Sequence, residues 1–310
     1  MDATIRLALE LPVPPPLPGT AREVGGTWLA TLAAACRAAS DGGFDALYLR
    51  SADVTLDPCT LAGALGTLAP SLMVGVVQDA GTGRLPAVLA RDITTLDVVT
   101  EGRASLLLRA QGPGAPRPHA GGNRLGGPAQ EGPSGADRVL IEEAQICRAM
   151  FREEAPTFAG SCYQVERAVN RPAPVRPGGP FVVLDPAGAV VGPDLARSVD
   201  AVVVRSSGRT LVRHAAALRG AWRDAGVSPA PLVWWGGSPG SGPAGASGSP
   251  GSPRADAPSA PVGGDPAAWV ALAAAGLDGV LVACRAAGPS ADEIARLGAA
   301  LRGAFAKAAP

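Results

Sequence analysis

Short apolar runs alternate with amphipathic segments along nearly the whole chain, and this alternation limits the folds available to it. Strands are predicted at residues 4–9, 44–49, 71–77, 104–108, 181–184, 201–204, 232–235 and 279–283. Most of these runs are followed by a segment whose apolar residues recur at helical spacing. Alternating strands and helices are typical of a parallel sheet, which either closes into a (β/α)8 barrel or stays open with helices on both faces.

Chain length and one missing motif favour the barrel over the open sheet. The 310 residues are close to the usual size of a (β/α)8 barrel. No G-x-G-x-x-G motif follows the first predicted strand, which weakens the case for an open dinucleotide-binding sheet. The sequence therefore predicts an α/β protein with a TIM barrel, formed as a single domain over residues 1–310.

Three low-complexity stretches interrupt this pattern. Residues 110–135 and 236–263 are rich in Gly, Pro, Ser and Ala and contain almost no large apolar side chains, so we predict disordered insertions there. Because they follow strands four and seven, both should emerge at the carboxyl-terminal face, where barrel active sites lie. The first strand is expected to end before the proline-rich "PVPPPLPG" of residues 12–19.

Composition argues against several classes of partner. Lys and Arg total 27, as do Asp and Glu, so the formal net charge is +0 and offers no general attraction to nucleic acid or an anionic membrane. Aromatic residues make up only 4%, which disfavours base stacking. Neither a targeting segment nor an apolar run of bilayer length is evident. We expect a cytoplasmic protein that binds neither nucleic acid nor membranes.

Cysteines and histidines reveal no catalytic or metal centre. The five cysteines are scattered and contain no C-x-x-C pair, so a disulfide framework and a structural zinc site are not supported. His119 lies in a low-complexity tract and His214 on a predicted helix. Cys284, at the end of the last strand, is interpreted as a small core residue. No metal site and no catalytic residue are assigned.

Polar residues follow strands three and four, at the end of the barrel where a site is expected. Gln78 and Asp79 are either ligand-binding groups or ordinary loop residues. Arg109 could face a phosphate, a carboxylate substrate or a reduced ring. It could equally form an ion pair with a nearby carboxylate such as Asp79 or Glu101, and the sequence leaves both interpretations open.

A candidate phosphate-binding segment follows strand six. Arg205, Ser206, Ser207, Gly208 and Arg209 lead into a predicted helix. Backbone N–H groups at a helix N-terminus suit a phosphate, and the hydroxyl and guanidinium groups would add donors. The alternative is a serine-capped helix with solvated arginines.

Several stretches resemble the luciferase-like monooxygenase family of flavin- and deazaflavin-dependent oxidoreductases. "GRLPAVLARDITTLDVVTEGRASLLL" is similar to the family's third helix and fourth strand. "FAGSCYQVERAVNRPAPVRPGGPFVVL" is similar to the excursion before strand five, and "AAGLDGVLV" to the last strand. The residues that carry the first match are Pro86, Ala90, Arg91, Thr95, Leu96, Asp97, Gly102 and Arg103.

The resemblance implies a function as well as the barrel. It implies an oxidoreductase that uses FMN or a deazaflavin for hydride transfer or monooxygenation of a small-molecule substrate, and a homodimer. On this interpretation Gln78 and Asp79 hydrogen-bond the edge of the flavin ring, and residues 205–209 hold the cofactor phosphate.

The sequence departs from the family where the cofactor should lie. Strand four of the family usually continues into a glycine-rich end that lets the ring approach closely, but residues 107–111 here read "LLRAQ". A polar pair such as Asp-His after strand two is replaced by Arg50-Ser51, and a Gly-Gly pair after strand five by Asp185-Pro186. The alternative function is therefore a degenerate barrel without cofactor that acts as a binding or regulatory protein.

Overall fold

Eight parallel strands close into a barrel in the computed structural model, which confirms the predicted TIM fold. The structure describes residues 5–13, 21–51, 56–82, 84–110, 135–186, 191–206, 208–237, 277–284 and 289–308. The barrel strands are β1 (Arg6–Val13), β2 (Ala46–Ser51), β3 (Met73–Asp79), β4 (Ala104–Arg109), β7 (Phe181–Asp185), β8 (Ala201–Val204), β9 (Leu232–Gly237) and β10 (Gly279–Ala283). Around the barrel they run β1-β10-β9-β8-β7-β4-β3-β2.

Helices pack around the barrel, and one small hairpin leaves it. Among the described residues the helices are α1 (Ala21–Asp41), α2 (Pro58–Gly66), α3 (Pro86–Val99), α4 (Gly135–Arg152), α5 (Pro193–Ala196), α6 (Gly208–Asp224) and α7 (Ala291–Ala308). The hairpin consists of β5 (Phe158–Ala159) and β6 (Gln164–Val165) and lies in the excursion that the resemblance predicts before the fifth barrel strand. No helix in the described part of the chain is long and apolar enough to cross a membrane.

Local side-chain chemistry sets the start of two helices. Asp57 precedes α2 and accepts a hydrogen bond from the Thr60 backbone N–H at 3.0 Å, with Pro58 in the first helical turn. Before α7, Ser290 and Glu293 exchange hydrogen bonds between side chain and backbone N–H. This reciprocal capping box satisfies two amide donors that the helix leaves free.

The barrel interior is a packed core below its carboxyl-terminal end. Side chains alternate between the two faces of each strand, so Tyr48, Leu107 and Val183 point inward while their neighbours contact the helices. Phe181 and Trp234 stack inside the barrel with ring centroids 5.9 Å apart. Trp234 lies with Phe181 among the inward apolar residues, whereas its neighbour Trp235 packs on the outward face of β9.

Two of the family-like residues hold the amino-terminal end of the barrel together. Arg103 donates hydrogen bonds to the carbonyl oxygens of Gly66 and Leu72 at 2.9 and 2.7 Å. Asp97 is fully buried and accepts from the backbone N–H groups of Val175 and Arg176 at 2.8 and 3.0 Å. These parts of the resemblance therefore describe the scaffold.

The structure corrects several predicted boundaries. Strand β1 does not end before the prolines but continues to Val13. Its neighbour β10 pairs with it only as far as Glu10, so Pro12 has a strand on one side, where a missing N–H is tolerated. Gly236 and Gly237, assigned to the second insertion, belong to β9, and Ala110 is buried beyond β4.

Some predictions cannot be compared with the structure. The remainder of the two insertions, residues 111–134 and 238–263, and the helix expected at 266–275 lie outside the described residues.

Candidate functional site

A layer of charged side chains lies at the carboxyl-terminal end of the barrel interior. In each contributing strand, the residue two positions before the charged one packs inside the barrel. Because side chains alternate along a strand, the charged residue points inward as well. This is the end of the barrel at which TIM-barrel active sites form. The six residues are Glu10, Arg50, Asp79, Arg109, Asp185 and Arg205.

Arg109 is the centre of this layer. Its Nη1 and Nη2 donate to the two carboxylate oxygens of Glu10 at 2.9 and 2.5 Å, and its Nε donates to Asp185 Oδ2 at 2.7 Å. Strands β1 and β4 are not neighbours, because β2 and β3 lie between them on the shorter way round. The Arg109 side chain therefore extends across the mouth of the barrel from one wall towards the other.

The predicted partners of Arg109 were wrong. Asp79 faces it across the β3–β4 ladder but makes no ion pair with it, and Glu101 lies in the turn before β4, at the other end of that strand. Glu10 and Asp185 instead offer two buried carboxylates, one of them in a bidentate geometry that suits a guanidinium group.

Arg50 and Arg205 extend these contacts into one chain of five side chains, which we call the mouth network. Arg50 Nε donates to Glu10 Oε1 at 2.8 Å. Arg205 donates from Nε and Nη2 to the two Asp185 oxygens at 2.9 and 2.6 Å. The carboxylates are only 1% and 2% exposed, whereas Arg205 is 42% exposed. Three guanidinium groups face two carboxylates within this network.

Electrostatics keep the ion pair between Arg109 and Asp185 charged. Burial by itself would raise the pKa of Asp185, but hydrogen bonds and charge from Arg205, and then from Arg109, outweigh it and lower that pKa. Burial would likewise lower the pKa of Arg109, yet its contacts with Glu10 and Asp185 raise it. The Arg109–Asp185 ion pair is therefore charged at neutral pH.

Asp79 stands at the same level with different properties. Burial raises its pKa, and the nearby charges of Arg109 and Arg50 offset this only in part. Among the described residues, no donor lies within hydrogen-bonding distance of its carboxylate. A carboxyl group with a raised pKa beside a ligand site is suited to proton transfer.

Gln78, predicted to act with Asp79, is turned away from the mouth. Its Nε2 donates to the Thr82 carbonyl oxygen at 2.6 Å and to the Asp79 carbonyl oxygen at 3.1 Å. These bonds hold the turn between β3 and α3. The structure therefore brings Asp79 to the mouth network and leaves Gln78 in the loop.

The predicted phosphate-binding segment is only partly connected to the mouth. Arg205 meets Arg109 through their shared partner Asp185. Ser206 Oγ lies 3.1 Å from Nδ1 of His214, which is a residue of α6 and not of the mouth network. Gly208 begins α6, and the side chain of Arg209 is exposed on its first turn, while residue 207 lies outside the described residues. Phosphate binding by this segment stays a prediction.

Glu10, Arg50 and Asp185 are the residues of the mouth network that the sequence did not single out as site residues. A signal for Glu10 was present: it is a charged residue inside the apolar run "LALELPV", in phase with the inward-facing Ala8. Glu10 was not recognised because the prolines that follow suggested that the strand had already ended. For Asp185 the signal was its position directly after four apolar strand residues, on the inward phase.

Sequence comparison now decides the family. The family model described as luciferase-like monooxygenase matches residues 16–236, more than half of the chain. The chain belongs to the luciferase-like monooxygenase family. The match covers strands β2 to β9 of this luciferase-like protein, while β1, which supplies Glu10, lies before it. No curated protein is a significant match to the sequence.

Solved structures of this type share the fold at low sequence identity. A monooxygenase from Streptomyces bottropensis is 14% identical, with a TM-score of 0.63, and the match covers 98% of this chain and 99% of that one. A riboflavin lyase, solved with modified FMN and riboflavin, is 14% identical with a TM-score of 0.56, over 76% of this chain and 62% of that one.

A third similar structure is that of an enzyme named as dependent on coenzyme F420. The coenzyme F420 dependent tetrahydromethanopterin reductase from Methanopyrus kandleri is 15% identical with a TM-score of 0.57, over 76% of this chain and 67% of its own. The luciferase-like protein thus spans less than two thirds of the riboflavin lyase and about two thirds of the reductase.

The described mouth residues suit the phosphate of a flavin-type cofactor better than they suit its flat ring. Guanidinium groups suit its phosphate, and Arg50 and Arg205 are partly exposed. A flat ring against β4 needs close backbone approach, which glycine would allow, but the Arg109 side chain extends from that strand across the mouth. The residues therefore accept the ring in that position only when Arg109 leaves Glu10.

Proposed function

We propose that the protein is a flavin- or deazaflavin-dependent oxidoreductase that acts on a small organic substrate by hydride transfer or monooxygenation. The observation that carries this proposal is the pair of partly exposed guanidinium groups, Arg50 and Arg205, at the ligand-binding end of a luciferase-like barrel. FMN and deazaflavin cofactors are anionic, and the network offers them partly exposed guanidinium groups. A cytoplasmic location and a homodimer belong to the same proposal.

The chain's own residues would divide the work as follows. Arg205 and Arg50 bind the anionic part of the cofactor, because both keep exposed donors while their other donors are paired. Asp79 holds or delivers a proton, because its pKa is raised and its carboxylate faces the mouth. The bound cofactor supplies the redox chemistry, and the barrel supplies position and exclusion of water.

Arg109 sets the strength of cofactor binding in this proposal. Its withdrawal would leave Glu10 and Asp185 with one cation each, and breaking a buried ion pair costs about 3–5 kcal/mol. The open form is then roughly a hundred to several thousand times less populated than the closed form, and the apparent affinity falls by the same factor. We therefore expect a loosely held cofactor that dissociates during purification.

A second candidate is favoured by one observation. The bidentate contact between Arg109 and Glu10 satisfies both oxygens of a carboxylate that is only 1% exposed. If this contact never opens, the barrel is a degenerate one without cofactor that serves as a binding or regulatory protein. The two candidates differ in whether flavin binds at all.

Titration of the purified protein with FMN and with a deazaflavin, followed by fluorescence quenching, tests the proposal. We expect weak but saturable binding, reduced about tenfold or more in Arg205→Gln because a charge-assisted contact is lost. Arg213→Gln is the matched control, since Arg213 is exposed on α6, and it should bind like the wild type. No saturable binding, even in Glu10→Gln, which removes the carboxylate that holds Arg109 across the mouth, would favour the second candidate.

A further inference from the structure

A second cavity lies at the amino-terminal end of the barrel, opposite the mouth network. It has a volume of about 520 Å³ and is lined by three arginines, Arg6, Arg103 and Arg176, together with Asp45 and Ser71. Ligand sites commonly have volumes of about 300–1,000 Å³. The cavity is therefore large enough for a small organic molecule.

Two of these arginines meet over one aromatic ring. The guanidinium carbons of Arg6 and Arg176 lie 5.7 and 5.2 Å from the centroid of the Phe181 ring. Trp234 stacks on the same ring inside the barrel, so the two cations approach it from the side of the cavity that they both line. Like charges on one small surface repel each other unless an anion lies between them.

No carboxylate of the described residues neutralises this pair. Neither Arg6 nor Arg176 has an acidic side chain of the described chain within ion-pair distance. Asp45, the carboxylate in the lining, already accepts from Arg302 Nη2 and from the Leu7 backbone N–H, both at 2.7 Å. The cavity wall therefore presents more positive than negative charge.

Arg103 adds a third charge but is fixed by other contacts. It donates to the carbonyl oxygens of Gly66, Ala69 and Leu72, neutral acceptors that leave its charge uncompensated. Arg103 therefore contributes to the positive potential of the cavity, while Arg6 and Arg176 provide donors.

We propose that this cavity binds a phosphate group, either as free phosphate or as a phosphate monoester, between Arg6 and Arg176. Planar guanidinium groups match the oxygens of phosphate in pairs of hydrogen bonds. The aromatic ring beneath them holds the cations in place and excludes water from one side. This site is at the opposite end of the barrel from the mouth network, so it does not depend on the proposed redox function.

Isothermal titration with inorganic phosphate in a chloride buffer of constant ionic strength tests the site. Wild type is expected to show a saturable binding site that Arg176→Ala weakens by about tenfold to a hundredfold through loss of charge-assisted contacts, and that Arg205→Gln at the mouth network leaves unchanged. Arg176 lies in a loop, so its replacement should leave the circular dichroism spectrum unchanged. Arg213→Ala, which removes the same charge from an exposed position on α6, should bind as the wild type does.

Three outcomes would overturn the site. They are absence of saturable binding in the wild type, equal weakening by Arg176→Ala and Arg213→Ala, and loss of thermal stability in Arg176→Ala without any change in phosphate affinity. The last would make these arginines structural groups. If the site is real, titration with glycerol phosphate separates its sources, because tighter binding than inorganic phosphate identifies a monoester and weaker binding the free ion.

Discussion

Two aspartates at the barrel mouth experience opposite electrostatic effects, although both face its interior. Asp185 is buried between two guanidinium groups and its pKa is lowered, chiefly because Arg205 outweighs the effect of burial. For Asp79 burial dominates, because the nearest cations are already paired elsewhere, and its pKa is raised. Ionised Asp185 therefore stabilises the fold, whereas ionised Asp79 opposes it.

Replacing each aspartate by asparagine should change stability in opposite directions at pH 7. Asp185→Asn is expected to lower the free energy of unfolding by about 3 kcal/mol, because Arg109 and Arg205 lose a buried partner. Asp79→Asn is expected to leave it unchanged or raise it, because a disfavoured charge is removed. Urea unfolding of the two variants measures this, and each serves as the control for the other.

The pH dependence of these two effects also has a defined sign. A lowered pKa contributes stability above the unfolded value near 3.8 that is lost as pH falls through the folded pKa, so the deficit of Asp185→Asn should shrink in acid. A raised pKa gives a penalty that is complete above the folded pKa and disappears below 3.8, so the advantage of Asp79→Asn should also shrink. A deficit of Asp185→Asn that grows in acid would contradict this account.

Two glycines, one in a barrel strand and one on a helix, differ in how much space surrounds them. A Cβ atom at Gly75 in β3 would lie 2.6 Å from the Ser105 carbonyl oxygen and 2.8 Å from the Tyr48 ring. The helical Gly220 in α6 has no atom within 4 Å of such a position. The first glycine is required by packing, and the second only weakens its helix.

Alanine at these two positions should therefore have opposite effects on stability. Gly75→Ala is expected to destabilise the protein by about 1–3 kcal/mol, because backbone and a buried ring must move. Gly220→Ala should stabilise it by about 0.5–1 kcal/mol through helix propensity. Thermal unfolding of both variants checks this. A tolerated Gly75→Ala would mean that β3 and β4 are more loosely packed than described.

The strands and helices of this protein could be predicted from the sequence more completely than the contacts of the mouth network. Alternating runs gave all eight barrel strands, because strand and helix periodicity are local properties. The Arg109–Glu10 contact joins residues 99 positions apart across the barrel, and no local pattern reports such a pair. The family-like residues Asp97 and Arg103 were recognisable because they stabilise turns and loops, whereas the mouth residues differ from the family.

At the scale of the whole molecule, charge is divided between the two ends of the barrel. The apolar interior separates the mouth network from the arginine-lined cavity at the amino-terminal end. In the mouth network the cations are paired with carboxylates, while at the opposite end two arginines meet an aromatic ring. At the first end, we propose that the paired Arg109 controls whether a flavin ring can enter.

Flavin affinity of Arg109→Gly measures that control directly. Fluorescence titration with FMN and a deazaflavin should show weak binding to the wild type and at least tenfold tighter binding to Arg109→Gly, because the variant removes both the obstruction and the cost of opening. Arg109→Lys, which keeps a long cation at the same place, should bind no better than the wild type. If Arg109→Gly is poorly folded, the Glu10→Gln/Arg109→Gly variant removes the unpaired carboxylate and repeats the test. Tight binding by the wild type, with no gain in either glycine variant, would contradict the claim.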